Sequence, residues 1–118
     1  MAQEITSEMI EQRNRLLELV SRLTGVPVDD IMGRCRRQDI ADARKLVMWT
    51  LAVMCGYTRH NVGILMERSH PAVTYAVRWV NDGYGGKDVE RLRQEIEKKL
   101  RTIPTVAKNA TVKKGGEE

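Results

Sequence analysis

The chain has 118 residues, 42% hydrophobic and 31% charged, a mixture that supports one compact core with trimmings. Its most apolar stretch, Leu46 to Cys55, is far too short to cross a bilayer, and the opening Met-Ala-Gln-Glu-Ile has neither the basic start nor the apolar run of a secretion signal. With two cysteines only, Cys35 and Cys55, a soluble protein of a reducing cytoplasm is expected.

The formal net charge of +4 is unevenly placed: residues 1–33 carry 3 basic and 6 acidic side chains, whereas residues 34–78 carry 8 basic and 3 acidic ones. A basic segment beside an acidic one implies a surface that faces a polyanion, with plain solubility as the rival explanation.

Thr6 or Ser7 is the candidate N-cap of a first helix, along which Met9, Ile10, Leu16, Leu17, Val20 and Leu23 recur at spacings of three and four until Gly25 and Pro27. Asp29 and Asp30 ahead of Ile31-Met32, closed by Gly33, predict one short helical turn, after which Arg34-Cys35-Arg36-Arg37 falls on a loop. From Asp39, read as an N-cap, Ile40, Ala43, Val47, Leu51 and Met54 lie on one face of a long central helix that stops at Gly56. Thr58 caps a short helix with Val62, Leu65 and Met66, and Ser69-His70-Pro71 is another start signal, so two helices meet across a tight turn.

The second of these has Val73, Ala76, Val77 and Val80 on one stripe and leaves Ala72, Thr74, Tyr75 and Arg78 off it. Gly83, Gly85 and Gly86 interrupt the pattern. Val89, Leu92, Ile96, Leu100 and Ile103 then mark a last helix, supported by Glu95–Lys99 and Glu97–Arg101 pairs. Beyond Pro104 no apolar period remains. The expected organisation is a compact helical unit over 1–82, a helical extension over 83–104 and a disordered tail over 105–118.

Catalytic and metal chemistry find little support. Cys35, Cys55, His60 and His70 lack the close paired spacing that offers two ligands to zinc. Cys55 ends an apolar helix and Cys35 sits among arginines, neither beside a base in the sequence. A phosphate-cradling P-loop would need glycine where Asn81 stands and Ser or Thr where Asp88 follows Gly86-Lys87. No metal, cofactor, nucleotide or enzymatic activity is expected.

A DNA-reading helix presents its first residues to base edges, while a preceding short helix crosses the backbone and a neighbouring loop clamps phosphate or enters a minor groove. This chain has those parts in that order. The candidate contacts are Arg34, Arg36 and Arg37 on the loop and Arg44 and Lys45 on the long helix. Arg59 and Arg68 belong to the short helix and its turn, and Ser69, His70, Pro71, Ala72, Thr74, Tyr75 and Arg78 to the reading helix. Each has a plainer alternative. The loop arginines could be solvated surface, His70 could bond locally, Arg44 and Lys45 could pair with Asp42, and Tyr75 could pack. Arg44 is assigned to DNA, and Trp79 to packing.

From Ile5 to Asn81 the chain resembles the C-terminal, DNA-binding domain of the bacterial replication initiator DnaA. The resemblance is carried by Val28-Asp29-Asp30-Ile31 before the arginine loop, Ala43-Arg44-Lys45, Val62-Gly63, and Arg68-Ser69-His70-Pro71-Ala72-Val73 with Ala76 and Arg78. It implies an all-α helical bundle with a helix-turn-helix, Trp-repressor-like, and binding of double-stranded DNA. It further implies that Arg36 enters the minor groove, that Arg44 meets the phosphate backbone, and that Arg68 to Ala72 face the major groove.

The chain departs from the family where Asp-His-Thr-Thr-Val is usual and Ser69-His70-Pro71-Ala72-Val73 stands here, after a turn one residue shorter. Pro71 cannot donate a hydrogen bond, and Ala72 offers only an apolar contact such as one to a thymine methyl. Different base readout is therefore expected. The initiator's ATPase domain has no counterpart in these residues, so regulation or occupancy is expected rather than origin melting. Two rival roles are a protein-interaction module that keeps the fold, and docking of the Val89–Ile103 strip on a replication or transcription protein.

Overall fold

The computed structural model describes residues 5–100, and among them the secondary structure is helical without a strand. The helices are α1 (Ser7–Thr24), α2 (Val28–Met32), α3 (Gln38–Trp49), α4 (Arg59–Met66), α5 (His70–Asn81) and α6 (Gly86–Leu100), with a π-helical turn over Thr50–Met54 continuing α3. The all-α expectation is met. Arg101, Ile103 and the whole 105–118 tail lie outside the described residues.

Helix starts follow local capping chemistry. The Thr6 hydroxyl accepts from the Met9 amide at 3.1 Å, and Thr58 from the Asn61 amide at 3.1 Å. One expected cap, Asp39, is corrected. The N-cap of α2 is Pro27, which places Asp29 and Asp30 inside the first turn. That of α3 is Arg37, and Asp39 sits in the first turn with its carboxylate accepting from the Ile40 amide at 2.9 Å. Acid in a first turn still complements the helix dipole, so the sequence signal was sound and its register was off.

The long central helix is also not uniform. Its last residues widen into a π turn in which the Cys55 amide reaches the Thr50 carbonyl at 3.0 Å. The Thr50 hydroxyl donates to the Leu46 carbonyl at 2.7 Å, competing with the regular ladder at the point where it loosens. Gly56, at φ 79°, then ends the segment.

Helix α3 packs against α1, α2, α5 and α6, which explains why it is buried nearly all round: Ala43, Leu46, Val47, Met48, Trp49, Thr50 and Leu51 all lie in the core. One-face periodicity undercounts such a helix. On α1, Ile10 is exposed while Gln12 and Leu19 are buried. The Tyr57 hydroxyl donates to Gln12, and Arg13 on α1 donates to the Leu65 carbonyl at the end of α4 at 2.8 Å.

Helix α6 packs on α1 and α3, with Val89, Ile96 and Leu100 buried and Leu92 half-buried. The described part of its apolar strip, Val89 to Leu100, therefore lies in this chain's own core, where no partner can dock without unpacking it. Arg93, half-buried with its guanidinium 5.7 Å from the Trp49 ring centre, pairs with both Glu90 and Glu97, at the i,i+3 and i,i+4 spacings that bring helix side chains together.

Candidate nucleic-acid interface

The turn between α4 and α5 is Glu67-Arg68-Ser69. Glu67 adopts the left-handed conformation at φ 58°, which lets the Arg68 amide return to the Gly63 carbonyl at 2.8 Å and close the end of α4. Ser69 then caps α5, its hydroxyl accepting from the Ala72 amide at 3.3 Å. Pro71 falls within the first turn, where a missing amide hydrogen costs nothing. Ser69, His70 and Pro71 are exposed, Ala72 and Thr74 half-buried, and Val73, Ala76, Val77 and Val80 face the core as expected. Ser69→Ala is expected to cost about 1 kcal/mol, read as a lowered urea midpoint with unchanged slope.

Arg34, Cys35, Arg36 and Arg37 are all exposed. Arg37 donates to the Asp39 carboxylate at 3.1 and 2.9 Å. That contact raises the pKa of Arg37 and holds the Asp39 carboxyl below its ordinary range. Arg34, Arg36, Arg59 and Arg78 make no ion pair among the described residues. Part of the Arg37 charge is thus answered within the protein, while Arg34 and Arg36 present theirs to solvent.

Two other arginines hold this loop in place. Arg44 is only 9% exposed. Its Nε donates to the Ile31 carbonyl at 2.8 Å, and one terminal nitrogen reaches the carbonyls of Asp30 and Cys35, each at 3.1 Å. This differs from the expectation of a guanidinium offered to phosphate: the side chain points back under the loop, where its planar fork serves three carbonyls together, that of Asp30 also accepting from the Gly33 amide at 3.1 Å. Arg68 is half-buried. It donates to the carbonyls of Met66 and Glu67 at 3.1 Å each and, across the chain, to the Gly33 carbonyl.

Burial lowers the pKa of both Arg44 and Arg68. The charge of Arg34 adds to the shift at each, and Arg44 adds to that at Arg68. A guanidinium starts so high that Arg44 and Arg68 stay charged at neutral pH. With Arg34 beside them they form a concentrated positive field where the loop meets the turn.

Lys45 is half-buried rather than paired with Asp42, which accepts from Gln38 at 2.7 Å. Its ammonium lies 4.4 Å from the Trp79 ring centre and 5.6 Å from that of Tyr75, a cation–π contact that pins α5 to α3. Trp79 is buried as expected. A further tie joins the two helices where the Trp49 indole donates to Asn81 at 2.8 Å. Arg59 and His60 open α4, at the opposite end of that helix from the turn. His60 and His70 line a shallow cleft of about 310 Å³ with Gly63, Ile64, Glu67 and Arg68.

The structure thus brings together the arginine loop, Arg44, Arg68 and the start of α5, and leaves Arg59 about one helix length, roughly 10 Å, from the turn. Sequence reasoning missed the Gly33 carbonyl as an acceptor and Tyr84 as an exposed ring beside α5. Neither leaves a local pattern, since a backbone carbonyl is available at every residue and an isolated tyrosine reads equally well as packing.

A family model described as the bacterial dnaA protein helix-turn-helix matches residues 14–80. Among curated proteins, the chain is similar to the chromosomal replication initiator protein DnaA of Thermotoga maritima, at 28% identity over 85 residues covering 70% of this chain and 19% of that protein. It is also similar to the protein of the same name from Pseudothermotoga lettingae, at 25% identity over 64 residues covering 54% of this chain and 14% of that protein. The chain spans about a fifth or less of the length of these relatives. No solved structure matches it.

Proposed function

The chain belongs to the bacterial DnaA helix-turn-helix family, and from that premise we propose that it is a cytoplasmic, sequence-specific binder of double-stranded DNA with a replication- or transcription-related role and no catalysis of its own. The start of α5, from Ser69 to Ala72, enters the major groove; Thr74, Tyr75 and Arg78 continue that surface. Arg34, Arg36 and Arg37 contact phosphate or the minor groove. The observation that carries this reading is the double fastening of the basic loop. Arg68 ties it to the helix-turn-helix turn at Gly33, and Arg44 ties it to α2 and α3. Loop cations and reading helix are therefore held as one unit, which lowers the ordering cost of binding. Within this reading Arg44 and Arg68 position the surface, and Arg59 and Lys45 add to the field around it.

Base readout falls to few groups. His70 and Ser69 carry the polar atoms at the helix start, Pro71 offers no donor, and Ala72 suits a thymine methyl. Selection of bound duplexes from a random pool should return a motif distinct from the DnaA box. Arg36→Ala should weaken binding on every sequence and flatten the dependence of log K on log salt by about 0.9 per lost phosphate contact, whereas Arg91→Ala, on the exposed side of α6, should change neither. Equal effects of the two variants would refute the proposed surface. Selection without any enriched motif would leave the second reading, a protein-interaction module that keeps the fold, favoured by the loss of two hydroxyls at Pro71 and Ala72.

A further inference from the structure

The duplex surface proposed for α5 continues past the end of that helix into a groove with exposed aromatic rings. Pro71, Thr74, Tyr75 and Arg78, already placed on the duplex surface, line one open groove of about 460 Å³ together with Trp79, Asp82 and Tyr84. Tyr75 is 60% exposed and Tyr84 74% exposed, an unusual display for rings in a chain that is only 4% aromatic. Tyr84 is held beside the helix by its amide, which donates to the Trp79 carbonyl at 3.1 Å. Two cations accompany the rings, Arg78 exposed on the groove and Lys45 over the faces of Trp79 and Tyr75, against the single carboxylate of Asp82.

We propose that this groove is a stacking slot for an unpaired nucleobase, so that the protein binds DNA best where a duplex gives way to a single strand. Hydrated tyrosine rings bordering an apolar groove offer flat faces that any base can cover, and Arg78 and Lys45 supply the charge that a strand's phosphates require. The groove begins among the duplex-reading residues of α5, and Tyr84 extends it past the other end of that helix. A strand leaving the duplex on that side can then pass over it. A peptide or lipid occupant would have less use for two cations beside two exposed rings. The inference rests on the duplex-binding reading above and adds to it a preference for junctions.

The test uses the full chain and fluorescence anisotropy on a blunt duplex, on the same duplex with a short single-stranded tail on either strand, and on the single strand alone. The tail carries 2-aminopurine as a stacking probe. One tailed duplex is expected to bind about tenfold more tightly than the blunt one, the gain of one stacked base, with quenching of the probe. Tyr84→Leu should abolish the gain and the quenching while leaving blunt-duplex affinity unchanged, and Tyr84→Phe should retain both. A tail that adds nothing, or a gain that survives Tyr84→Leu, overturns the slot with duplex binding intact. A fall in blunt-duplex affinity equal to that on the tailed duplex assigns Tyr84 to the duplex contact and likewise overturns it. Failure to bind the blunt duplex at all would instead sink the reading on which the slot rests.

Discussion

Gly63→Ala is expected to destabilise the protein by roughly 1–3 kcal/mol, although alanine is the better helix former by about 1 kcal/mol. A methyl group at Gly63 would stand 2.6 Å from the backbone oxygen of Arg68. That oxygen cannot retreat cheaply, because the Arg68 amide is bonded to the Gly63 carbonyl and its side chain to Gly33. The expected relief is a shift of the whole turn, which moves the Ser69 cap and with it the start of α5. Urea unfolding should show the lowered midpoint, and duplex affinity should fall more than stability alone requires at temperatures where the variant stays folded. A midpoint at or above that of the parent would contradict the close approach.

Arg44→Met is expected to cost about 2–4 kcal/mol, the loss of charge-assisted hydrogen bonds to carbonyls beneath the loop together with the penalty at the Ile31 and Cys35 acceptors, the Asp30 carbonyl keeping its bond from the Gly33 amide. Methionine keeps much of the buried packing, so the effect isolates the polar contacts. The companion variant Arg44→Lys separates two roles. Lysine retains the positive charge but cannot span the Ile31, Asp30 and Cys35 carbonyls with a planar fork. If Arg44 acts by anchoring, both variants lose duplex affinity on all sequences. Full affinity in Arg44→Lys would show that the charge alone matters. Denaturation midpoints and anisotropy titrations on the same preparations read both quantities.

Much of the fold was legible from residues close together in the chain. The caps at Thr6, Thr58 and Ser69 and the stop at Gly25 each depend on a side chain or a glycine within a few residues of the backbone group it serves. The apolar stripe of α5 was equally plain, because that helix has one buried face and one free one. Periodicity failed where that premise failed. Helix α3 is surrounded by neighbours, so its polar Arg44 and Thr50 are buried along with its apolar residues. On α6 the strip that the rival docking role would use is core from Val89 to Leu100.

What the sequence determined by itself was the all-α class, the order of helices, the helix-turn-helix and the residue types of its exposed start, since these follow from short-range capping and period. Only the tertiary structure decided which arginines face solvent. Arg44 reaches carbonyls 9 to 14 positions earlier, Arg68 one 35 positions earlier, and Lys45 rings on another helix. Such contacts exist only after α2, α3 and α5 have packed. The chemistry of a guanidinium allows phosphate and carbonyl partners alike, and packing chooses between them by bringing one within reach.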